Sequence, residues 1–246
     1  MVEPLFRIEL TTLPVAGQKI SLTGAEAKHA AAVRRMRIGE AIQLSNGQGI
    51  RVRGLVDSVD PNQVDIEVAE VIEEPMPKIQ IHLAQALAKG DRAELAIQAA
   101  TELGVFGVIP WQAERSISRW DGAKAAKGRD RWQTIVNEAA KQSLRVFEPV
   151  VSDPKTTKEI AGLVAGFDSV LILDPTAEAG ITSQALPTAG RLLLIVGPEG
   201  GISDSELAIL ESFGAHRVHL GAPILRTSTA GLAAISALLA SSGAWR

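Results

Sequence analysis

Two short segments near the end of the chain combine residue types that could carry out chemistry. Residues 197–201 place Glu199 among three glycines, and residues 221–227 end in Arg226 and Thr227. Neither segment has the Gly-Lys-Ser/Thr of a P-loop or the G-x-G-x-x-G of a dinucleotide fingerprint. A carboxylate among glycines repels a phosphate, so a ligand with positive charge, hydroxyls and a purine edge fits better, and S-adenosylmethionine has all three. The alternative is a tight turn whose glycines serve only packing.

The flanking sequence predicts how these two segments are positioned. The apolar run 192–196 suits a buried strand of a parallel sheet, and residues 217–220 suit a second one. Ser203 and Glu206 have the spacing of a capping box, which predicts a helix there, and the Ala/Leu/Ile-rich run 230–240 predicts another. Both segments would therefore leave the carboxyl ends of strands, where open α/β sheets bind ligands.

Composition indicates an ordinary globular protein that is large enough for two domains. The 246 residues are 46% hydrophobic and 22% charged, which allows a sizeable core. No apolar run reaches the roughly 18 residues of a membrane span, and residues 1–4 show no signal peptide, so we expect a cytoplasmic protein. The absence of cysteine excludes disulfides, thiolate metal sites and a cysteine nucleophile. The four histidines lack metal-ligand spacing, and no metal is expected.

Positive charge is concentrated in two regions of a chain whose net charge is -3. Residues 28–53 carry six Lys/Arg against one acid, and residues 111–145 carry eight against four, which is compatible with docking a phosphate backbone. Aromatic side chains could stack on unpaired bases. The four tryptophans are Trp111, Trp120, Trp132 and Trp245. For Trp132, which lies in a helical pattern, core packing is the better interpretation.

Residues 1–73 are predicted to form a small β-rich domain. Period-two alternation predicts strands at 6–10, 41–44, 50–56 and 64–68. Thr23 and Glu26 have capping-box spacing, so we expect a helix from there to Gly39. That helix would carry Lys28, His29, Arg34, Arg35 and Arg37, whose simplest interpretation is a solvated charged face. Two prolines and two acids at 73–77 predict a linker.

Residues 78–246 are predicted to form an α/β domain with a parallel sheet, because strand and helix patterns alternate. Strands are expected at 79–84, 105–110 and 169–173. A helix capped by Asp91 would end near Gly104, and another would span about 129–144. Between them, residues 111–127 read as a polar, basic loop that holds Arg115 and Arg119.

The motifs GPEGG at 197–201 and LGxxILRTxTA at 220–230 together resemble the knotted SPOUT class of RNA methyltransferases. Within that class the chain is similar to the bacterial N3-methyluridine methyltransferases of small-subunit (16S) ribosomal RNA. Further similar stretches at 89–92, 100–105, 114–116, 131–132 and 138–145 extend the resemblance over nearly the whole chain. It implies a PUA-like RNA-binding domain at 1–73, a SPOUT domain with a C-terminal trefoil knot at 78–246, S-adenosylmethionine as cofactor, and a homodimer. The last helix could supply the dimer interface or be a buried core helix.

The resemblance also implies roles for particular residues. The implied cofactor-binding residues are Leu173, Val196, Gly197, Pro198, Glu199, Gly200, Gly201, Leu220, Gly221, Pro223, Ile224, Leu225 and Thr229. We expect Arg226 to stabilise the anion that develops as the N3 proton leaves, and Glu199 to steer the cofactor or act as base; a structural salt bridge is the alternative for Arg226. The expected RNA-binding residues are Lys28, Arg34, Arg35, Arg37, Arg115 and Arg119.

Three positions depart from the pattern of the resembled family. Ala99 stands where Lys is usual, Leu144 where Gly is usual, and Ser228 where an acid is common. If that acid removes a proton in some members, this chain does without it. Two alternatives stay open: a SPOUT enzyme that methylates ribose 2′-O or guanine N1, and a non-catalytic RNA-binding assembly factor. The lack of cysteine speaks against adduct-forming C5 methylation of uracil.

Overall fold

The computed structural model describes residues 2–184, 187 and 189–245 and divides into two compact units. The first comprises Met1–Met76 together with Ala140–Glu148, and the second comprises Pro77–Ala139 together with Pro149–Arg246. The ends of the two predicted domains, residues 1 and 246, lie outside the described part. Nothing in the sequence predicted that residues 140–148 would belong to the first unit.

The first unit is built on a five-stranded sheet with the order β1-β3-β4-β5-β2. Its strands are β1 (Leu5–Arg7), β2 (Lys19–Thr23), β3 (Ala41–Ser45), β4 (Ile50–Asp60) and β5 (Gln63–Glu73). Alternate residues of β4 and β5, such as Val52, Val64 and Ile66, are buried in one apolar core. The period-two prediction is therefore confirmed for β3, β4 and β5, whereas the first predicted strand, 6–10, overlaps β1 only at residues 6 and 7. Strand β2 was missed because only Leu22 in it is buried.

The helix of the first unit differs from the prediction. Helix α1 (Gly24–Lys28) continues into one π-helical segment, His29–Val33, and Arg35 then has a φ of 52°. The predicted end at Gly39 is therefore wrong, and Arg34, Arg35 and Arg37 follow the helix rather than lie on it. The capping box is also wrong, because Thr23 makes no side-chain cap. The Glu26 carboxylate instead accepts a hydrogen bond from the Arg7 amide (3.1 Å) and pairs with Lys141 (2.8 Å).

Leu144 has the backbone conformation of a glycine. Its φ is 57°, in the left-handed region that side chains with a Cβ atom rarely adopt. The carbonyl oxygen of Leu144 accepts a hydrogen bond from Arg51 Nη2 at 3.1 Å within the first unit. This is one of the positions where the chain departs from the resembled family, which usually has glycine.

The second unit contains a six-stranded parallel sheet with the order β11-β9-β10-β6-β7-β8. Its strands are β6 (Ile79–Ala86), β7 (Gly107–Trp111), β8 (Val150–Val151), β9 (Ser169–Leu173), β10 (Gly190–Val196) and β11 (His216–Val218). Strand β10 is central, and its side chains alternate between two apolar cores: Leu192 and Leu194 enter one, Leu193 and Ile195 the other. Burial on both faces explains its continuous apolar sequence. The predicted parallel α/β sheet is confirmed.

Helices cover both faces of this sheet. They are α2 (Arg92–Glu102), α3 (Ala123–Gln142), α4 (Thr157–Leu163), α5 (Asp204–Ser212) and α6 (Thr227–Ser241). The first core takes side chains from α2, α3 and α6, and the second takes them from α4 and α5. In α6, Ala234 and Leu238 are buried in the first core, whereas Ala233 and Ala237 are half-buried.

Three local predictions for the second unit need correction. Asp91 precedes α2, but its side chain makes no cap. Helix α3 begins at Ala123 rather than near 129, because the Ala/Lys-rich start of the helix has high helix propensity. Trp111 is fully buried and donates to Thr157 Oγ1 (3.1 Å), so it cannot stack on a base. The prediction for Trp132 is confirmed: it is 2% exposed and packs edge-on against Trp120.

Within the described residues, no helix is long and apolar enough to cross a membrane. In the same part of the chain, no three His, Asp or Glu side chains are grouped so that they could hold a metal ion.

Candidate functional site

The carboxyl ends of three neighbouring strands enclose a cavity of about 700 Å³ in the second unit. Strand β9 contributes Leu173 and the residues after it, β10 contributes the 197–202 loop, and β11 contributes the 219–227 loop. Twelve of the thirteen predicted cofactor-binding residues line the cavity, and Arg226 lies beside them. Thr229 is not among the lining residues; its hydroxyl donates to the Arg226 carbonyl oxygen at 3.2 Å in the first turn of α6. The two segments singled out in the sequence therefore share one cavity.

The loop of residues 197–202 after β10, which we call the glycine loop, is held in shape by its own backbone geometry. Gly201 has a φ of 73°, which favours glycine, and its amide donates to the Pro198 carbonyl oxygen at 2.9 Å. The predicted capping box follows directly and is confirmed, because Ser203 and Glu206 make both reciprocal hydrogen bonds at the start of α5. Gly200 has a different reason to lack a side chain. A Cβ atom there would lie 3.2 Å from Arg115 Cβ.

The loop after β7 is fastened to the start of α5 through two carboxylates. Glu206 is 4% exposed and accepts hydrogen bonds from the Glu114 amide (2.9 Å) and the Thr157 hydroxyl (2.6 Å). The Glu114 carboxylate accepts from Ser203 Oγ (2.6 Å), and hydrogen bonds from Ser203 and Ser205 lower the pKa of this carboxyl. These contacts bring Arg115 to the cavity, where its Nη1 donates to the Gly200 carbonyl oxygen at 3.1 Å.

Glu199 is tied to the beginning of α2. Its Oε1 accepts a hydrogen bond from Arg92 Nη1 at 3.2 Å and from the Lys89 amide at 3.3 Å. Arg92 also lines the cavity, and sequence reasoning missed it. A similar stretch at 89–92 was the available signal, but it did not indicate that Arg92 would face Glu199. The cavity wall therefore contains an ion pair as well as the exposed guanidinium of Arg226.

Arg226 lies at the N-terminal boundary of α6 and is exposed. It forms no ion pair with any of the residues that the structure describes. A structural salt bridge, the alternative interpretation of Arg226, therefore lacks an acidic partner in residues 2–184, 187 and 189–245. An exposed guanidinium that lines a cavity is available to a ligand.

Asp174, which sequence reasoning also missed, closes the β9 side of the cavity. Its burial opposes ionisation, but hydrogen bonds from Thr176 and Arg217 outweigh this effect and lower the pKa of the carboxyl. Arg217 Nε lies 2.7 Å from Asp174 Oδ2, and the Thr176 amide lies 2.9 Å from Oδ1. Both oxygens are therefore occupied by the protein, and Asp174 shapes the cavity wall.

The other predicted RNA-binding residues are distributed over both units. In the first unit Lys28, Arg34, Arg35 and Arg37 are exposed, and none forms an ion pair with a described residue. In the second unit Arg119 does not line the cavity; its Nη2 donates to the Glu114 carbonyl oxygen at 2.9 Å. Arg115, by contrast, lies at the glycine loop.

The chemistry of the cavity fits S-adenosylmethionine. Apolar side chains of Leu173, Val196 and Leu220 line it, as do the backbones of both loops, which suits an adenine ring and its polar edge. The carboxylate of Glu199 lies in the cavity wall, where it can attract the positive charge of the cofactor.

Comparison with known proteins supports the same interpretation. A family model described as "RNA methyltransferase domain" matches residues 74–239, and one described as "RNA methyltransferase PUA domain" matches residues 22–69. Ribosomal RNA small subunit methyltransferase E of Mycobacterium bovis is 39% identical over 100% of this chain and 94% of its own. The Bacillus subtilis protein of that name is 36% identical over 94% of each chain.

A solved structure agrees with these sequence matches. The crystal structure of a ribosomal RNA small subunit methyltransferase E from Neisseria gonorrhoeae bound to S-adenosyl methionine aligns with a TM-score of 0.85 at 30% identity. The alignment covers 97% of this chain and 98% of that one. The predicted fold class, a PUA-like domain followed by a parallel-sheet methyltransferase domain, is therefore confirmed. The trefoil knot stays a prediction.

Proposed function

Since the chain belongs to the RNA methyltransferase family, we propose that it methylates N3 of a specific uridine in small-subunit (16S) ribosomal RNA, with S-adenosylmethionine as methyl donor. The coarser statement, methylation of small-subunit ribosomal RNA with this cofactor, follows from full-length relatives and a cofactor-bound neighbour. The choice of uracil N3 rests on the resemblance carried by the paired loop motifs, and the absence of a cysteine nucleophile speaks only against adduct-forming C5 methylation. A substrate in the ribosome implies a cytoplasmic location.

The observation that carries the proposal is the cavity in which Glu199 and Arg226 lie on two different loops. Leu173, Val196 and Leu220 would hold the adenosine part of the cofactor, and the backbone of the glycine loop would approach it closely. When bound, S-adenosylmethionine supplies an activated methyl group. Holding donor and acceptor in one cavity can supply several kcal/mol of the barrier reduction, because the reactants are already oriented.

Arg226 is the residue we propose for stabilising the reaction. N3 of uracil is an imide nitrogen, so negative charge spreads onto the ring carbonyls as its proton leaves. A guanidinium that has no ion-pair partner among the described residues can direct two N–H groups at one such carbonyl oxygen. Glu199, which is already paired with Arg92, is proposed to steer the positive charge of the cofactor. Ser228 stands where an acid is common in the resembled family, so this chain releases the N3 proton without that acid.

The activity test uses the full-length chain, labelled cofactor and small ribosomal subunits that lack modifications. We expect label to appear in the RNA, and mass spectrometry of nuclease fragments to locate it on one N3-methyluridine. Label on a ribose 2′-oxygen or on a guanine would retain the methyltransferase and refute the uracil assignment. An absence of label, with cofactor bound, would favour the non-catalytic assembly factor.

The role of Arg226 is tested by substitution. We expect Arg226→Ala and Arg226→Lys each to lower methyl transfer by about 10²-fold, the scale of losing one preorganised donor, because lysine keeps the charge but not the planar fork. Arg129→Ala is the matched control, since Arg129 pairs with Asp130 and Asp153 away from the cavity. Weaker cofactor binding by Arg226→Ala would place this residue on the donor side and refute the proposed role.

The first unit is proposed to bind RNA through the exposed cluster of Lys28, Arg34, Arg35 and Arg37. Neutralising phosphates releases counterions, so replacing Arg34, Arg35 and Arg37 with Glu should weaken RNA binding and flatten its dependence on salt. Lys19→Glu is a useful control, because Lys19 lies in the same unit but pairs with Asp57 at 2.7 Å. Equal RNA affinity of the triple variant and the wild type would mean that the cluster is only a solvated surface.

Two further features are proposed from the resemblance. These are a trefoil knot formed by the loops near 197–225 and a homodimer. The half-buried Ala233 and Ala237 on α6 leave small side chains available for a helix of a second copy. Light scattering on the purified chain would give the mass directly, and a monomer at micromolar concentration would refute the dimer.

A further inference from the structure

A line of three buried polar groups connects the central sheet to both loops of the cavity. Gln85 lies near the end of β6, beside Val196 of β10, and is 0% exposed. Its Nε2 donates to Thr227 Oγ1 at 2.9 Å, and Thr227 Oγ1 donates to the Gly197 carbonyl oxygen at 2.7 Å. Gly197 begins the glycine loop, and Thr227 directly follows Arg226. One glutamine on the sheet therefore links the two segments that enclose the cavity.

The donor and acceptor pattern fixes the orientation of the Gln85 amide. The Thr227 hydroxyl has one hydrogen, which it gives to the Gly197 carbonyl oxygen, so it can only accept from Gln85. The amide nitrogen of Gln85 must therefore face Thr227, and its second hydrogen points to the Ala86 carbonyl oxygen at 3.4 Å. This arrangement leaves Gln85 Oε1 buried without a hydrogen-bond partner among the described residues.

An unsatisfied buried carbonyl destabilises the folded state, and native proteins contain few of them. A methionine or leucine at position 85 would fill similar space without this cost. The polar side chain is thus unfavourable for the core but necessary for the link to Thr227. A cost to folding beside a cavity indicates a constraint from function rather than from stability.

We propose that Gln85 and Thr227 are positioning residues for methyl transfer, which rests on the function proposed above. Gln85 sets the direction of the Thr227 hydroxyl, and Thr227 then fastens the first turn of α6 to the carbonyl of Gly197. Arg226 lies at the start of that turn, so the link holds the backbone from which its side chain extends at a constant distance from the glycine loop. Gln85 is not among the residues that line the cavity, so it acts only through Thr227.

Turnover and stability should respond in opposite ways to Gln85→Met. We expect kcat to fall by between about tenfold and 10²-fold, the scale of a small misplacement of a reacting group. The KM values for cofactor and for small subunits should stay near those of the wild type, and the melting temperature should not decrease, because the unsatisfied carbonyl is removed. Thr227→Val should cause a similar loss of kcat, and Thr227→Ser should restore most of it relative to Thr227→Val.

The effects of substituting Gln85 and Thr227 should also depend on each other. In the double variant Gln85→Met/Thr227→Val, kcat should be no lower than in Thr227→Val alone, because the link is already broken. Gln133→Met is the matched control: Gln133 donates to the Pro149 carbonyl oxygen and accepts from the Val151 amide, away from the cavity. We expect this control to lose stability while turnover per folded molecule is kept. Multiplicative losses in the double variant, or equal losses of kcat in Gln133→Met, would overturn the proposal.

Hydrogen exchange provides a readout that needs no activity. The amides of Thr229 and Ala230 both donate to the Arg226 carbonyl oxygen at 2.9 Å, and they report on the first turn of α6. Gln85→Met should accelerate their exchange while α5 exchanges as in the wild type. If the wild type transfers no methyl group but this acceleration is seen, the proposed function fails and the positioning of Arg226 by the link stands. Unchanged exchange in Gln85→Met would refute the link, whatever the activity.

Discussion

Leu144→Gly should remove backbone strain from the first unit, and a comparison with alanine measures that strain. Leu144 has a φ of 57°, a conformation that costs a residue with a Cβ atom roughly 1–2 kcal/mol. Glycine avoids this cost but loses about 0.5–1 kcal/mol through the greater entropy of the unfolded chain. Alanine keeps the strain and, like glycine, removes the rest of the leucine side chain. We therefore expect the glycine variant to be more stable than the alanine variant by about 0.5–1 kcal/mol.

Leu95 provides the matched control position. It lies within α2, where φ is helical, and its side chain is 53% exposed. In a helix interior alanine is favoured over glycine by about 0.8–1.0 kcal/mol. The order of the two variants should therefore reverse between the two sites, and the two differences together should amount to about 1.3–2 kcal/mol. Because each difference is taken at one site, the lost leucine contacts cancel.

Urea denaturation of the four full-length variants would measure these free energies of unfolding. Each transition should be followed by tryptophan fluorescence and by circular dichroism, so that separate unfolding of the two units is detected. A preference for alanine at both sites would refute the left-handed conformation of Leu144. A preference for glycine at both sites would show that the order of the two variants does not depend on φ, and it would also refute the reasoning.

Three further predictions concern pH, packing and the glycine loop. Burial and the nearby Arg191 lower the pKa of His82 to about 4. As pH decreases from about 6.5 to about 4, the unfolded chain therefore binds a proton at His82 that the folded chain does not bind, and the free energy of unfolding should fall. His82→Phe should flatten this slope, whereas His216→Gln, at an exposed site, should not. A Cβ atom on Gly231 would lie 3.9 Å from Gln85 Oε1 and in ordinary contact with Val196. The hydroxyl of Gly231→Ser should therefore donate to the unsatisfied Gln85 carbonyl, and urea denaturation should show this variant to be more stable than Gly231→Ala by about 1 kcal/mol. Gly200→Val should push Arg115 away and abolish the rise in melting temperature caused by S-adenosylmethionine, whereas an unchanged rise would show that the loop tolerates side chains.

Local patterns predicted the parts of the fold that depend on neighbouring residues. The apolar run of β10 is buried on both faces, and its type and position were readable because no polar residue interrupts it. The two capping-box patterns show where such reasoning ends. Ser203 and Glu206 form the box, whereas Glu26 is taken by Lys141, which is 115 positions away in sequence. A competing partner at that separation leaves no local signal.

The candidate site was predictable in its loops but not in its supporting contacts. Glu199 and Arg226 stand out because charged residues follow strands and lie among glycines. Arg92, Asp174 and Gln85 do not, since their positions depend on which strands pair and on which helix covers them. Leu144 is an intermediate case: its departure from the resembled family was visible, but only the φ angle gives that departure a physical meaning.

The inclusion of residues 140–148 in the first unit has a consequence for how the protein is made. A chain that leaves the ribosome from its N-terminus presents residues 1–76 first, but the last members of that unit follow about 70 positions later. At about 5–20 residues per second, synthesis of that stretch takes roughly 4–14 s. During this interval Glu26 and Arg51 lack Lys141 and the Leu144 carbonyl as partners. The nascent first unit is therefore expected to be less protected against proteases until residue 148 has emerged.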